Sequence, residues 1–355
     1  MSENCNMEAF LTLVRSGLWE MSAKLQPYGE PNYMEVLRIA QNQAVVGLVA
    51  AGMEHVEDIK IPKENVLQFI GQTLKQERRN VAMNGFIKEL IGKLSETEIY
   101  PLLVKGQGVA QCYERPMWRT SGDVDLLLHK EDYRKAKNVL LPLSSYNKQD
   151  ERYSMHLGMN IGQWSVEIHG TLRTGLSTRI DKEIDSVQEN SFRSCAPRVW
   201  HNIDMDILIP SPNNDVFFVF THFVKHFYKE GVCLRQLCDW CRLLWTYREN
   251  IDVLLLEQRL HKAGLLSEWR AFAALAVDYL GMPAEAMPLY ESDARWSRKG
   301  TKVLTYIMTA DTRHKYRDTF TIAMIFPVNT LRFLPSILFN LNWLKVKERI
   351  VSIWK

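Results

Sequence analysis

Two aspartates separated by one residue, Asp123 and Asp125, stand where a short apolar run begins and offer the chemistry of a metal site. On a strand, residues i and i+2 point to the same face, so the two carboxylates project together while Val124 and Leu126 face the core. Adjacent carboxylates resist joint ionisation unless a cation lies between them. Hard ions such as Mg²⁺ prefer carboxylate oxygens. The pair therefore predicts a divalent-cation site, although the same pattern also occurs at strand starts that bind nothing.

A third acid lies in the run Trp-Ser-Val-Glu-Ile-His at 164–169. Alternation places Val166 and Ile168 on one side of this strand and Glu167 and His169 on the other. Three carboxylates on neighbouring strands can hold two metals that clamp the attacking and leaving oxygens of a displacement at phosphorus. His169 shares the face of Glu167, where it could orient a metal-bound carboxylate or contact the acceptor.

The chain before the aspartates supplies groups that suit an anionic substrate. A short apolar run ends in Lys105-Gly106, and a glycine there permits close approach of the backbone to phosphate. Lys105 could add positive charge. Arg119, four residues before Asp123, either holds a triphosphate or supports the acids by ion pairing; the sequence leaves both open.

These motifs follow one another as Lys-Gly at 105–106, Arg-x-x-Gly-Asp-x-Asp-Leu-Leu at 119–127 and Glu-Ile-His at 167–169. The series resembles the bacterial uncharacterised nucleotidyltransferase family of the DNA polymerase β-type superfamily, over roughly residues 80 to 245. The resemblance implies an α+β fold, in which a small mixed-sheet core is flanked by N-terminal and C-terminal helical regions. It implies a nucleoside triphosphate substrate and Mg²⁺ or Mn²⁺ as cofactor. Its metal-binding and catalytic residues would be Asp123, Asp125 and Glu167, and its nucleotide-binding residues Lys105, Gly106, Gln107, Arg119 and Gly122.

One position departs from the superfamily pattern, because Gln107 follows Gly106 where Gly-Ser is usual. The hydroxyl that would touch the phosphates is missing, while backbone amides of the following helix could still bind them. The function that the resemblance implies is the metal-dependent transfer of a nucleoside monophosphate to an acceptor hydroxyl, and two alternatives to it stay open. One is a catalytically impaired nucleotide-binding or regulatory protein, and the other is a toxin-type nucleotidyltransferase acting on RNA or protein. Family members often lie near polysaccharide genes, which suggests a role in polysaccharide metabolism.

The bulk composition narrows the class of protein. The 355 residues are 46% apolar, enough for a sizeable core, and the net charge of +3 is far from that of a dedicated nucleic-acid binder, so no DNA partner is expected. The N-terminus lacks a basic segment followed by an apolar one, and no apolar run reaches about 18 residues. Scattered cysteines do not form a disulfide framework. These features predict a cytoplasmic protein with reduced thiols.

Periodicity divides the chain into four predicted regions: a helical N-terminal region at 1–98, a nucleotidyltransferase core at 99–210, a helical cap at 211–310 and an apolar, basic tail at 311–355. The predicted N-terminal helices are Met7–Met21, Tyr33–Gly52 and Asn65–Leu94. The predicted core strands are Leu102–Val104, Val124–Leu128, Met155–Ile161, Gln163–Ile168 and Met205–Ile209. The predicted core helices are Gln107–Tyr113 and Lys130–Leu140.

The cap region carries further polar residues. His222 and His226 share one face of a predicted helix, where core packing or hydrogen bonding is favoured over zinc, with the nucleotide cleft as a variant. Arg235 and Asp239 fit an i, i+4 helix pair, and the family resemblance allows Arg235 to face the cleft as a supporting or acceptor-binding residue. His156 is interpreted as a structural histidine, with contact to substrate as the alternative.

The segment 319–355 is rich in apolar and aromatic residues, is interrupted by Pro327 and Pro335, and ends basic. An amphipathic segment with Trp, Lys and Arg at its end can lie in a membrane interface, here the inner face of the membrane. It can equally pack against the protein or a partner, and the sequence leaves these alternatives open.

Overall fold

A computed structural model describes residues 2–147, 155–193, 196–309 and 315–338. The chain begins with helices, as predicted for residues 1–98. Their bounds are α1 Ser2–Trp19, α2 Tyr33–Asn42, α3 Val46–Glu54 and α4 Lys63–Ser95.

The predicted single helix Tyr33–Gly52 is wrong, because the chain breaks it into α2 and α3. Ala44 between them has a φ of 55°, which a right-handed helix does not allow. The break lets α3 cross α1 in backbone contact. A Cβ on Gly52 would lie 2.0 Å from the carbonyl oxygen of Leu13, so only glycine permits this approach.

The α+β core follows, and the elements run in the order β1 Leu102–Val104, α5 Gly106–Ala110, β2 Val124–Leu127, α6 Lys130–Leu140, β3 Ser144–Asn147, β4 His156–Ile161, β5 Trp164–His169, α7 Thr178–Arg193, β6 Arg198–Asn202 and β7 Met205–Ile209. Five strands form a mixed sheet in the order β1-β2-β5-β4-β3, and β6 pairs with β7 in a separate hairpin. The pairing of β2 with β5 is parallel and the other pairings are antiparallel. The five predicted strands are present within one residue at each end.

Three elements of the core were not predicted: β3, β6 and α7. The predicted helix Gln107–Tyr113 is also shorter in the structure, where α5 ends at Ala110. The amides of Cys112 and Tyr113 bond to carbonyls three residues back, which tightens the chain into a turn before the loop that carries Arg119.

The chain then returns to helices, with bounds α8 Pro212–Lys229, α9 Leu234–Thr246, α10 Val253–Ala263, α11 Leu266–Leu280, α12 Ala294–Thr309 and α13 Lys315–Ile325. Residues 327–338 are also helical. One apolar core joins these helices to α1–α3, with Phe10 and Phe272 both fully buried in it. The division into regions at 98, 210 and 310 stays a prediction. Of the predicted tail at 311–355, residues 311–314 and 339–355 lie outside the described part of the chain.

Strand register decides which side chains reach the functional face of the sheet. Leu126, Val166 and Ile168 pack with the neighbouring strands and α4 into a second apolar core on one face of the sheet. Asp125 lies directly opposite Glu167 across β2 and β5, so both point to the other face. In the part of the chain that the structure describes, no helix has the length and apolar character needed to cross a bilayer.

Candidate active site

The three predicted acids converge. Asp123 precedes β2, Asp125 lies within it and Glu167 lies on β5, and each offers a carboxylate oxygen within 4.8 Å of the other two. The parallel pairing of β2 and β5 produces this convergence, because it sets residues 125 and 167 side by side. Asp125 is buried at 3% exposure, whereas Asp123 and Glu167 are half-buried.

Lys105 enters this acidic cluster from the end of β1. Its Nζ lies 2.8 Å from Oδ1 of Asp125, and its backbone has a φ of 59°, a conformation that costs energy for a side-chain-bearing residue. Burial lowers the pKa of Lys105, but the charge of Asp125 outweighs it and leaves the pKa raised. Burial likewise favours a raised pKa at Asp125, but Lys105 and His169 hold that pKa well below its usual range.

Asp123 behaves differently from Asp125. The charge of Asp125 and, after it, burial raise the pKa of Asp123 despite the nearby ammonium of Lys105. A carboxyl that resists ionisation beside a lysine shows that the lysine does not neutralise the negative charge of the cluster. A divalent cation fits such a set of oxygens, because it would offset the negative charge that raises the pKa of Asp123.

Two histidines border the same carboxylates. His156 and His169 lie opposite each other on β4 and β5, and their rings stack with centroids 4.7 Å apart. Nε2 of His169 lies 2.8 Å from Oδ1 of Asp125, and Nε2 of His156 lies 3.1 Å from Oε2 of Glu167. His169 is buried, and burial lowers its pKa. His156 therefore has a hydrogen-bonding partner, as expected of a structural histidine, and it also lines the cavity described next, so its contact with substrate stays a prediction.

A cavity of about 1000 Å³ opens beside the acids. Its volume is at the upper end of that of small-molecule sites and leaves room beside a nucleotide. Lining side chains come from the sheet, from the helices of the cap region and from α2 in the N-terminal region. The sheet side contributes Lys105, Gly106, Gly122, Asp123, Asp125, His156 and Glu167, and the helical side includes Arg38, Asn42, His222, Lys225, His226, Glu230 and Arg235.

The predicted nucleotide-binding residues Gly122, Arg119 and Gln107 differ in how they lie relative to the cavity. Gly122 lines the cavity beside Asp123. Arg119 also borders it, but its guanidinium makes two bonds to Asp239, of 2.6 and 2.8 Å, and is almost fully buried. Gln107 is buried at 1% exposure, is not among the lining residues, and its side-chain amide forms no hydrogen bond. This placement does not support the predicted contact between Gln107 and a nucleotide.

The histidine pair of α8 reaches the cavity, as the predicted variant required. Nε2 of His226 lies 2.9 Å from Nε2 of His222, and Nδ1 of His226 lies 2.9 Å from a carboxylate oxygen of Glu230. Arg235 donates to the carbonyl of Thr120 at 3.0 Å, so the loop before Asp123 takes the place of the predicted Asp239 partner.

Sequence reasoning missed several lining residues. Arg38 and Asn42 come from α2, more than sixty residues before the sheet, and no local motif marks them. Lys225 and Glu230 could have been found, because Lys225 lies between the two histidines and Glu230 follows His226 by four residues, one helical turn later.

A second group of potential metal ligands shares one acid with the first. His156, Glu167 and His169 each offer a ligand atom within 4.8 Å of the others. The sheet face thus presents oxygen ligands at the end of β2 and mixed nitrogen and oxygen ligands between β4 and β5. Glu167 belongs to both groups.

Comparison with known proteins gives one match. A family model described as uncharacterised nucleotidyltransferase matches residues 30–281, which is well over half of the chain and includes all three acids. No curated protein and no solved structure matches.

Proposed function

We propose a specific reaction for this chain, which belongs to the uncharacterised nucleotidyltransferase family. The reaction is the transfer of a nucleoside monophosphate from a nucleoside triphosphate to an acceptor hydroxyl, with release of pyrophosphate. The observation that carries the proposal is the meeting of Asp123, Asp125 and Glu167 on one wall of a cavity large enough for a nucleotide.

The three acids would hold Mg²⁺ or Mn²⁺. A cation bound there would neutralise charge on the triphosphate and favour in-line displacement at its α-phosphorus. The carboxylate of Asp125 is already ionised in the metal-free protein, because Lys105 and His169 lower its pKa. It is therefore ready to bind a cation without first losing a proton.

Residues at the end of β1 and in the loop before β2 would receive the phosphates. Lys105 brings a buried ammonium to the acids, and Gly106, with a φ of 42°, lets the backbone turn tightly into α5. Gly122 leaves the approach to Asp123 open, since a Cβ there would meet no atom within 4 Å. Arg119 acts on this loop and not on the substrate, because its guanidinium is committed to Asp239.

Glu167 and the two histidines would serve the acceptor. The hydrogen bond from His156 and the charges of both histidines outweigh burial and lower the pKa of Glu167, so this carboxylate is ionised at neutral pH. An ionised carboxylate can accept a hydrogen bond from the acceptor hydroxyl and orient its oxygen toward phosphorus. His169 would fix the carboxylate of Asp125, and Arg235 would position the Thr120 loop.

Transfer can be tested with α-labelled nucleoside triphosphates and purified protein, supplied with sugar, RNA and protein acceptor fractions. We expect label on one acceptor fraction, dependent on Mg²⁺ or Mn²⁺ and abolished by a chelator. Transfer should be lost in Asp125→Asn. Asp206→Asn is its matched control, because Asp206 is an exposed acid on β7 outside the cavity. Persistent absence of label with all four nucleotides and all three fractions would count against the proposal. The polysaccharide role predicts the sugar fraction.

A second candidate is a nucleotide-binding regulator with the same fold. The ion pair of Lys105 with Asp125 and the buried Gln107 in place of serine favour it. Thermal-shift measurements separate the two candidates. Stabilisation by a nucleoside triphosphate with Mg²⁺, without label transfer to any acceptor, supports the regulator; both effects together support the enzyme.

A further inference from the structure

The helical segment at residues 319–338 presents large apolar side chains to solvent. Phe320, Met324, Val328 and Leu331 are between 63% and 71% exposed. Phe320 and Met324 are four residues apart on α13, and Val328 and Leu331 are three residues apart on the helix that follows, so each helix turns an apolar face outward. The opposite face is buried in the main core through residues such as Ile322, Phe326 and Phe333. The segment is therefore docked on one side and apolar on the other.

The composition of the exposed face is unusual for a surface in water. The exposed positions between 319 and 338 are Phe320, Thr321, Met324, Pro327, Val328, Leu331, Arg332, Pro335 and Leu338. Thr321 and Arg332 are its polar members, and the sequence from 319 to 338 contains no acid. Scattered apolar residues are ordinary on protein surfaces, but a contiguous set marks an interaction site. We call these nine residues the apolar face.

Positive charge is concentrated in the same part of the chain. Residues 294–355 contain twelve Lys and Arg and three Asp and Glu, a net charge of +9. The remaining residues, 1–293, carry thirty-two basic and thirty-eight acidic side chains, a net charge of −6. Such a division of charge within one chain indicates an anionic partner for the basic part.

The helix that packs against α13, α12, is basic. This helix carries Arg295, Arg298, Lys299 and Lys302 and no acid. Nζ of Lys299 lies 4.9 Å from the ring centroid of Phe326, which belongs to the buried side of the 319–338 segment. The sequence of 339–355 adds tryptophans and four more basic residues, a composition typical of the interface between water and lipid.

We propose that the apolar face, which includes Arg332, and the basic residues of α12 form a docking surface for an anionic lipid bilayer. The apolar side chains would enter the boundary between headgroups and acyl chains, and the basic side chains would bind lipid phosphates. An RNA or DNA backbone would satisfy the charges but would leave Met324, Val328 and Leu331 in water. The described helices do not cross a bilayer, so the contact is with one surface of the membrane.

The proposal is tested by flotation of the full chain with vesicles of phosphatidylcholine, with and without phosphatidylglycerol. We expect binding to the anionic vesicles, weakened by salt, and little binding to the neutral ones. The double variant Val328→Glu, Leu331→Glu should weaken binding about tenfold or more, because it replaces two aliphatic side chains that would be buried in the bilayer by charged ones.

A matched control is Leu67→Glu on α4, because Leu67 is 68% exposed and Leu331 is 70% exposed. The control should bind vesicles like the unmodified chain. Circular dichroism and thermal unfolding establish that each variant is folded. Asp125→Asn should also bind normally, so vesicle binding and nucleotidyl transfer can fail independently.

Three outcomes would overturn the proposal. The first is no binding to anionic vesicles. The second is equal vesicle binding by the double variant and the control, which would show that charge alone acts. Complete displacement of the protein from the vesicles by added duplex DNA would show the same. The third is a dimer that the double variant dissociates in light scattering while vesicle binding is absent, which would identify the apolar face as a contact between two copies of the chain.

Discussion

Two carboxyl groups that line the cavity have opposite electrostatics. Asp239 is held by Arg119 through two bonds and by the hydroxyl of Tyr113 at 2.8 Å. Burial favours a raised pKa at Asp239, but the charge and hydrogen bonds of Arg119, together with the charge of Arg235 and the bond from Tyr113, lower that pKa. Asp123 lies in a cluster of three acids, and its pKa is raised by the charge of Asp125. The first group is charge-balanced within the protein. The second is not, and this difference supports the proposal that the acids bind a cation.

The comparison also separates two roles for basic residues. Arg119 balances an acid and fixes the loop before β2, so its charge is used within the fold. Lys105 contacts an acid in a cluster whose negative charge it does not cancel. Burial alone does not distinguish structural from functional charges. The direction of the pKa shift of the neighbouring carboxyl group does distinguish them.

The largest expected effect is the loss of transfer in Asp125→Asn. The change removes a central metal-binding charge and should lower the transfer rate by about a thousandfold or more, since a catalytic metal contributes several kcal/mol. Rates of label transfer under single-turnover conditions measure it. Full activity in a folded Asp125→Asn protein would refute the site assignment.

Breaking the ion pair between Arg119 and Asp239 should affect the stability of the protein, in contrast to the effect of Asp125→Asn on the transfer rate. Arg119→Ala leaves Asp239 buried without its cation and should lower the free energy of unfolding by about 3–5 kcal/mol. Urea denaturation measures the change. The paired replacement Arg119→Met, Asp239→Leu is the control, because removal of both charges should recover most of the loss. A loss as large in the pair as in the single variant would show that the effect comes from packing.

His156→Ala tests the support given to Glu167. It removes the 3.1 Å contact with the carboxylate and should weaken Mn²⁺ affinity or transfer by about 10–100-fold, with little change in stability. Calorimetric titration of the metal measures affinity. His201→Ala, on the exposed hairpin strand β6, serves as the control. Unchanged affinity and transfer in His156→Ala would remove His156 from the site.

Asp123→Asn should stabilise the metal-free protein. Because the pKa of Asp123 is raised in the fold, its ionised form opposes folding at neutral pH, and the neutral amide relieves that repulsion by up to about 1 kcal/mol. Thermal unfolding in a chelator should show a small rise in Tm. With excess Mg²⁺ the sign should reverse, because only the unmodified protein gains from binding. A lower Tm in the chelator would contradict the repulsion.

Acidification should affect the two carboxyl groups in sequence. Metal binding requires ionised Asp123, whose pKa is raised, so affinity should fall with decreasing pH before ordinary carboxyls, near 3.9, are protonated. The stability that Asp239 contributes is present above its unfolded pKa and is lost only as pH falls through its lowered folded pKa. Calorimetry and circular dichroism over the same pH series should therefore show loss of metal before loss of fold. Simultaneous loss would contradict the comparison.

Much of the sheet was predictable because its signals are local. The runs at 102–104, 124–128 and 205–209 are short, apolar and bounded by turn residues, and all became strands. Alternation likewise placed Glu167 and His169 on one face. The break at Ala44 and the polar strand β3 were not predicted. The positive φ of Ala44 produces no pattern of apolar residues that could be detected in the sequence, and the Ser-Ser-Tyr-Asn sequence of β3 has ordinary loop composition.

The sequence alone determined the three acids, the strands that carry them and the family to which the chain belongs, because each depends on residue type and short spacing. The tertiary structure decided how their charges are balanced. It turned Arg119 toward Asp239, buried Gln107 away from the cavity, and brought Arg38 from α2 to its wall. Ion pairing and burial are set by contacts between residues far apart in the chain, and strand or helix periodicity carries no information about them.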